Sequence, residues 1–229
     1  MDGQSFLSLL QFSDGLFPAG GYAHSFGLET YVQNGLIQDA KGVETFIASY
    51  LEGSVGPCDT VAAVRAAALA REGDLTGCLA LDETLDAMKS VAEFREASRQ
   101  MGRQTLRVAV TLTDHDLLSG LTAQVESCRT PAHHPVTLGV VGGVFGWEPK
   151  EAAKAYLYTT ASLLLGVSLR LLPIGQISGQ RLLHNLWPLI DRLAFDAEMQ
   201  ASGDLWSFAP GIEIAGMQHA TLEARLFRS

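Results

Sequence analysis

Helical periodicity is the feature that most constrains the fold of this chain. Two long segments carry apolar residues at the spacing of one helix face, namely Val91, Phe94, Ala97, Met101 and Val108, then Leu183, Leu186, Trp187, Ile190, Leu193, Ala194 and Ala197. No segment shows the alternation and Asn-Gly or Asp-Gly turns that mark strands. Hydrophobic residues make up 47% of the 229, enough for a substantial core. We therefore predict an all-α fold, a single compact domain of about ten helices.

Proline, glycine and small polar residues predict where several helices begin and end. Asp59 and Ser90 are candidate N-caps, and Gly73 is a candidate helix stop. Pro149 suits the first turn of a helix that must end before Pro173. Pro188 lies inside an apolar helical stripe, where it should kink the helix because it lacks a backbone donor.

The last 28 residues differ from the rest of the chain in their pattern of residues. Residues 1–201 form the helical domain, and no low-complexity linker interrupts them. Residues 202–229 are punctuated by proline and glycine, and we expect a C-terminal tail that is flexible until a partner binds it.

Charge and composition exclude several classes of function. The net charge of −9 argues against general nucleic-acid binding, which requires neutralising phosphates. The uncharged run Ala155–Leu169 is shorter than the roughly 20 residues that a spanning helix needs, so we expect no membrane insertion. Three cysteines (Cys58, Cys78 and Cys128) without metal-ligand spacing, and no basic region before the first apolar run, predict free thiols in the cytoplasm.

The glycine, histidine and serine patterns do not predict catalysis. "GVVGGVFG" (139–146) lacks the spacing of a phosphate loop, and Gly139 and Gly143 more simply allow two helices to approach closely. "GYAHSFG" lacks the first glycine of a nucleophile elbow. Among the six histidines no metal-binding motif occurs, which leaves His24 and His134 as weak metal candidates. We expect no catalytic residue and no cofactor.

A basic ridge is the clearest electrostatic pattern. Arg95, Arg99, Arg103 and Arg107 are spaced four apart, which places them along one side of a helix. Two interpretations remain open: the ridge pairs with acids of neighbouring helices or faces solvent, or it docks an acidic partner.

Four ordered segments carry a resemblance to a known family. "LLQFSDGLFPAGGYAHSFGLE" (9–29), "EFREASRQMGRQTL" (93–106), "RLLPIGQISGQRLL" (170–183) and "QHATLEARLFRS" (218–229) resemble signatures of urease accessory proteins of the UreF type. Phe17 and Ala19 stand where leucine and valine or isoleucine are usual. The resemblance implies a UreF-like helical bundle with no enzymatic activity of its own. It also implies a homodimer that binds UreD (also called UreH), recruits the GTPase UreG and promotes nickel insertion into apo-urease.

The resemblance also directs the choice of candidate residues. Pro18, Gly20, Gly21 and Gly27 would shape the turn in the first segment. The candidate partner-binding residues are Tyr22, His24, Ser25, Glu29, Arg95, Arg99, Arg103, Gln176, Gln180, Arg225, Leu226, Phe227 and Arg228. Two alternative functions remain: regulation of GTP hydrolysis by an arginine supplied in trans, and nickel binding by this chain through His24, His134 or Cys58.

Overall fold

The computed structural model describes all 229 residues, and all its regular secondary structure is helical, with no strand. It confirms the prediction of one compact all-α domain. The α-helices are α1 (Gly3–Ser13), α2 (Leu28–Gln33), α3 (Ala40–Tyr50), α4 (Val61–Glu72), α5 (Leu75–Met88), α6 (Ala92–Leu112), α7 (Asp116–Glu126), α8 (His134–Val144), α9 (Pro149–Leu171), α10 (Gln176–Asn185), α11 (Trp187–Met199) and α12 (Pro210–His219).

The alanine-rich helix α4 lies at the centre of the domain and packs most extensively on α8, with α5, α9 and α11 also in contact. The α4–α8 contact is close because α8 turns glycines towards α4. A Cβ at Gly143 would lie 2.6 Å from the Ala67 carbonyl oxygen, and one at Gly139 would overlap the Ala63 carbonyl. Small residues on both faces thus bring the two backbones together.

Most of the predicted helix boundaries agree with the structure. Gly73 ends α4 in the left-handed region, Pro149 lies in the first turn of α9, and α9 ends at Leu171, before Pro173. Two predictions about helix ends and kinks are wrong in local detail. The N-cap of α6 is Val91, not Ser90. Pro188 does not kink a continuous helix but lies in the first turn of α11, because α10 has already ended at Asn185.

The predicted cap at Asp59 is wrong for a tertiary reason. The chain stays helical from α3 into α4 through a π-helical segment, Leu51–Thr60, that contains Pro57. Proline removes a donor from the regular ladder, which accords with wider turns at this point. The buried Asp59 side chain instead accepts hydrogen bonds from Lys89 Nζ (2.7 and 3.0 Å) and from the Tyr156 hydroxyl (3.0 Å).

Residues 202–229 pack against the rest of the domain in this structure, and their flexibility in the absence of a partner stays a prediction. Helix α12 lies against α2 and α6, with Ile212 and Ala215 buried. Beyond α12, Phe227 and Ser229 are buried as well. Proline and glycine here mark helix and turn boundaries rather than a linker. No helix of the structure combines the length and apolar character needed to cross a membrane.

Candidate functional site

The first and last signature segments meet in space. We call this contact the clasp: residues 22–29, which end in the first turn of α2, against residues 225–229. The main-chain oxygen of Ser229 accepts hydrogen bonds from the backbone N–H groups of Ser25 (2.5 Å) and Phe26 (3.1 Å) and from the Ser25 hydroxyl (2.5 Å). The Arg228 N–H donates to the Ala23 carbonyl at 2.8 Å. The two ends of the domain are therefore joined mainly through backbone groups.

The geometry of the first segment explains how it presents these donors. Phe26 has a φ of 49°, in the left-handed region that a bulky residue rarely adopts, and Gly27 follows with a φ of 86°. The two left-handed residues turn the chain sharply, so that the N–H groups of Ser25 and Phe26 point to one oxygen. Gly27 also lies against α12, where a Cβ would be 3.1 Å from the Ile212 carbonyl oxygen.

Buried polar side chains complete the clasp. His24 Nδ1 lies 2.9 Å from the Ser229 hydroxyl, and burial, together with the nearby Arg228 charge, lowers the pKa of His24 to about 4. Glu29 is 1% exposed and accepts hydrogen bonds from the Leu226 N–H (2.7 Å) and the Phe227 N–H (3.1 Å). Without these donors, burial of the Glu29 carboxylate would be costly.

Two further residues extend this network beyond the clasp. His219, at the end of α12, is fully buried; its Nε2 lies 3.0 Å from a Glu29 oxygen and its Nδ1 lies 2.8 Å from a Glu93 oxygen. Arg225 donates to the other Glu93 oxygen at 3.0 Å. Sequence reasoning did not select Glu93 or His219, although both stand inside quoted signature segments. One signal could have found them: these signature segments contain ionisable residues, a histidine and glutamates, for which the turn and packing roles of the other residues give no reason.

Arg170 contacts the clasp from α9. Its Nη1 donates to the Tyr22 carbonyl at 3.0 Å, and its guanidinium lies 4.5 Å from the centre of the Phe227 ring. Sequence reasoning did not select Arg170 either, although it opens the third signature segment. Three of the four quoted signatures therefore contribute to the clasp directly, and the second contributes through Glu93.

The exposed part of the clasp is smaller than the candidate set. Tyr22 is 76% exposed and Leu226 is 54% exposed, and Arg228 is exposed beside them. With Arg170 and Gln100 they line a groove of about 290 Å³. His24, Ser25, Glu29 and Phe227 are buried and hold the clasp together in this structure, and their part in partner binding stays a prediction.

The other candidates lie apart from the clasp. Gln176 and Gln180 are exposed on α10 and line a different groove, of about 400 Å³. In the basic ridge, Arg99 pairs with Asp86 (2.6 and 2.9 Å) and Arg95 donates to the Lys89 carbonyl at 3.1 Å. Arg103 and Arg107 are exposed, and neither forms an ion pair. The ridge thus divides into a paired half and an unpaired half.

The turn residues have distinct positions. Pro18 is exposed in the turn that precedes the clasp, and Gly20, with a φ of 85°, begins a short 3₁₀ helix (Gly21–Ala23). Gly21 is buried, and a Cβ there would overlap the Leu163 side chain.

The metal candidates fall in two places. Cys58 and His134 line one buried cavity of about 60 Å³, while His24 belongs to the clasp. Burial raises the pKa of the Cys58 thiol to about 12 and lowers the pKa of His134 to about 4. No group of three or more His, Cys, Asp or Glu side chains is arranged to hold a metal ion.

Comparison with known proteins gives one consistent family. Residues 37–187 match the model of the UreF family. The chain is 34% identical to the urease accessory protein UreF of Trichodesmium erythraeum, covering 96% of this chain and 95% of that protein. It is 31% identical to the protein of the same name from Geobacillus kaustophilus, with both chains covered completely. The family model ends short of both halves of the clasp, whereas the match to the Geobacillus kaustophilus protein covers the whole chain.

Proposed function

The chain belongs to the UreF family of urease accessory proteins, and on that premise we propose that it acts in urease maturation as a non-enzymatic scaffold. In this proposal it binds UreD (UreH), and the pair recruits the GTPase UreG and promotes nickel insertion into apo-urease in the cytoplasm. The observation that carries the proposal is the family match across nearly the whole chain.

We propose that the exposed part of the clasp, formed by Tyr22, Leu226 and Arg228, is the surface that binds UreD. An exposed aromatic ring, an aliphatic side chain and an arginine around a groove are the residue types that anchor protein interfaces. The clasp holds their backbones in place before binding, which lowers the entropy lost on association.

Surface substitutions test this docking surface better than a truncation. Deleting residues 225–229 would remove buried Phe227 and leave Glu29 without its donors, so loss of binding could reflect a damaged fold. Leu226→Ala and Arg228→Ala remove side chains that face solvent. Leu36→Ala and Arg129→Ala are matched controls, because both residues are exposed and neither lines the clasp groove.

Each variant is tested for co-purification with UreD and for its helical circular dichroism. We expect the two clasp variants to lose UreD binding by at least about tenfold, as for interface anchors, while the controls bind like the native chain. Native UreD binding by Leu226→Ala and Arg228→Ala would overturn the assignment of this surface.

Regulation of UreG is a second candidate function, favoured by the unpaired half of the basic ridge. An arginine placed on the transition state of phosphoryl transfer accelerates hydrolysis by about 10³–10⁵, and Arg103 and Arg107 are free to act in trans. Single-turnover GTP hydrolysis by UreG, with and without this chain, separates the two functions. Acceleration that Arg103→Lys or Arg107→Lys removes supports the regulator, whereas an unchanged rate supports the scaffold alone.

We also propose that the chain forms a homodimer. Exposed apolar side chains on α10 and α11 support self-association, namely Ile177, Trp187, Phe195 and Met199. Light scattering coupled to gel filtration tests this directly, with an expected mass of twice 24.5 kDa and a monomer mass as the contradicting result.

A further inference from the structure

His219 lies in a hydrogen-bonding position that constrains its protonation. The ring is fully buried, and each of its nitrogens meets a carboxylate oxygen, Nε2 that of Glu29 at 3.0 Å and Nδ1 that of Glu93 at 2.8 Å. A neutral imidazole has one N–H and one lone pair, so it can donate to only one of two carboxylates. A ring with protons on both nitrogens donates to both.

Both carboxylates are committed as acceptors. Glu29 receives the N–H groups of Leu226 and Phe227 in addition to the His219 ring. Glu93 receives Arg225 on one oxygen and His219 on the other. A proton on either glutamate would replace an acceptor with a donor in a site where donors already point inward. The extra proton therefore belongs on the imidazole.

We infer that His219 is an imidazolium that locks the C-terminal residues in place, and that loss of one ring proton opens the clasp. The charged groups facing the ring are Glu29 from α2, Glu93 from α6 and, through Glu93, Arg225 from the terminal segment. With His219 charged, the two anions Glu29 and Glu93 are balanced by the two cations His219 and Arg225. A neutral ring would leave one carboxylate facing a buried lone pair and the cluster with an excess negative charge, which is costly at a buried position.

The consequence for docking is an alkaline limit on partner binding. Glu29 accepts the N–H groups of Leu226 and Phe227, so weakening this contact disturbs the positions of the exposed Leu226 and Arg228 side chains. This step rests on the proposed function, because it requires the exposed clasp residues to bind UreD. His219 is accordingly a positioning residue that acts through Glu29 and never meets the partner.

The test follows two backbone amides in the free full-length chain. The N–H groups of Leu226 and Phe227 donate to Glu29, so their hydrogen-exchange protection, corrected for intrinsic exchange, reports whether the clasp is closed. Protection is measured by NMR over a pH series that extends until the ring has lost its second proton. The ¹⁵N shifts of the His219 ring are recorded at the same pH values.

Glu93→Gln is the matched variant. The glutamine oxygen can still accept from Arg225, and its amide can donate to Nδ1 of a neutral His219, which then donates through Nε2 to Glu29. In this variant the hydrogen bonds around His219 form without the second ring proton. In the native chain we expect both ring nitrogens protonated at low pH and protection falling at least about tenfold as the ring deprotonates, the scale of one charge-assisted hydrogen bond. In Glu93→Gln we expect protection that does not vary with pH.

A His219 ring with a single proton at low pH would overturn the inference, as would pH-independent protection in the native chain. Equal pH dependence in the native chain and Glu93→Gln would also overturn it. Binding of UreD across the same range separates the two proposals. If the clasp opens at high pH and UreD binding persists, the docking surface is wrong while the His219 lock stands.

Discussion

Gly27→Ala tests how the first signature segment is fixed against α12. Gly27 combines a left-handed backbone (φ 86°) with close packing, since a Cβ would lie 3.1 Å from the Ile212 carbonyl oxygen and 3.4 Å from the Gly216 nitrogen. Gly20 is the matched control within the same segment. It has nearly the same φ, 85°, and no atom lies within 4 Å of the position that an added methyl group would take.

The two glycines separate backbone strain from crowding. An alanine in the left-handed region destabilises the folded state by about 1–2 kcal/mol. Replacing glycine by alanine also stabilises the protein by about 0.4–1 kcal/mol, because it reduces the conformational entropy of the unfolded chain. Gly20→Ala should therefore lower the free energy of unfolding by about 1 kcal/mol. At Gly27 the added methyl must also move α12 or α2, and overpacking costs about 1–3 kcal/mol more. We expect Gly27→Ala to cost about 2–4 kcal/mol, or a Tm fall of about 4–16 °C at this chain length.

Urea unfolding and thermal melts of both variants measure this difference. Because the displaced α12 carries His219, Gly27→Ala should also reduce amide protection at Leu226 and Phe227, and Gly20→Ala should not. A Gly27→Ala variant as stable as Gly20→Ala, with native protection in the clasp, would refute the close packing on which the clasp depends.

Further predictions concern the core of the domain. Gly143→Ala should destabilise the fold by about 1–3 kcal/mol by crowding α4, while Gly166→Ala, with open space around it, should stabilise by about 0.5–1 kcal/mol; equal melts would contradict this. Burial of His134 lowers its pKa to about 4, so the unfolded chain binds more protons between about pH 6.5 and 4. The contribution of His134 to the free energy of unfolding should fall by about 3 kcal/mol as pH drops through that window. His134→Leu should remove that contribution in urea titrations and leave the smaller slope that buried His24 supplies. Lys89→Ala, which leaves buried Asp59 without its cation, should cost about 3 kcal/mol in the same assay, and a neutral outcome would contradict the buried pair.

Local rules predicted the helices well because their causes are local. Gly73 and Pro149 act on the backbone within one turn, so the sequence alone shows where α4 ends and α9 begins. Asp59 failed as an N-cap because Lys89 and Tyr156, distant in sequence, bind its carboxylate. A capping rule considers only neighbouring residues and cannot anticipate that competition.

The clasp could not be predicted either, because the residues that form it are still further apart in the sequence. His24 and Ser229 are 205 residues apart, and no periodicity connects them. The family resemblance pointed to both ends of the chain and treated each as a partner surface. In the structure the two ends bury much of each other's surface, and Tyr22, Leu226 and Arg228 remain exposed.

The central claim is that this chain is a scaffold for urease maturation that works through the exposed clasp. Its most direct test is activation of apo-urease in a mixture of UreD, UreG, GTP, bicarbonate and nickel, with and without this chain. We predict that urease activity appears only when the chain is present, and that Leu226→Ala, correctly folded, fails to restore it while Leu36→Ala succeeds. Equal activation in the absence of the chain would contradict the account.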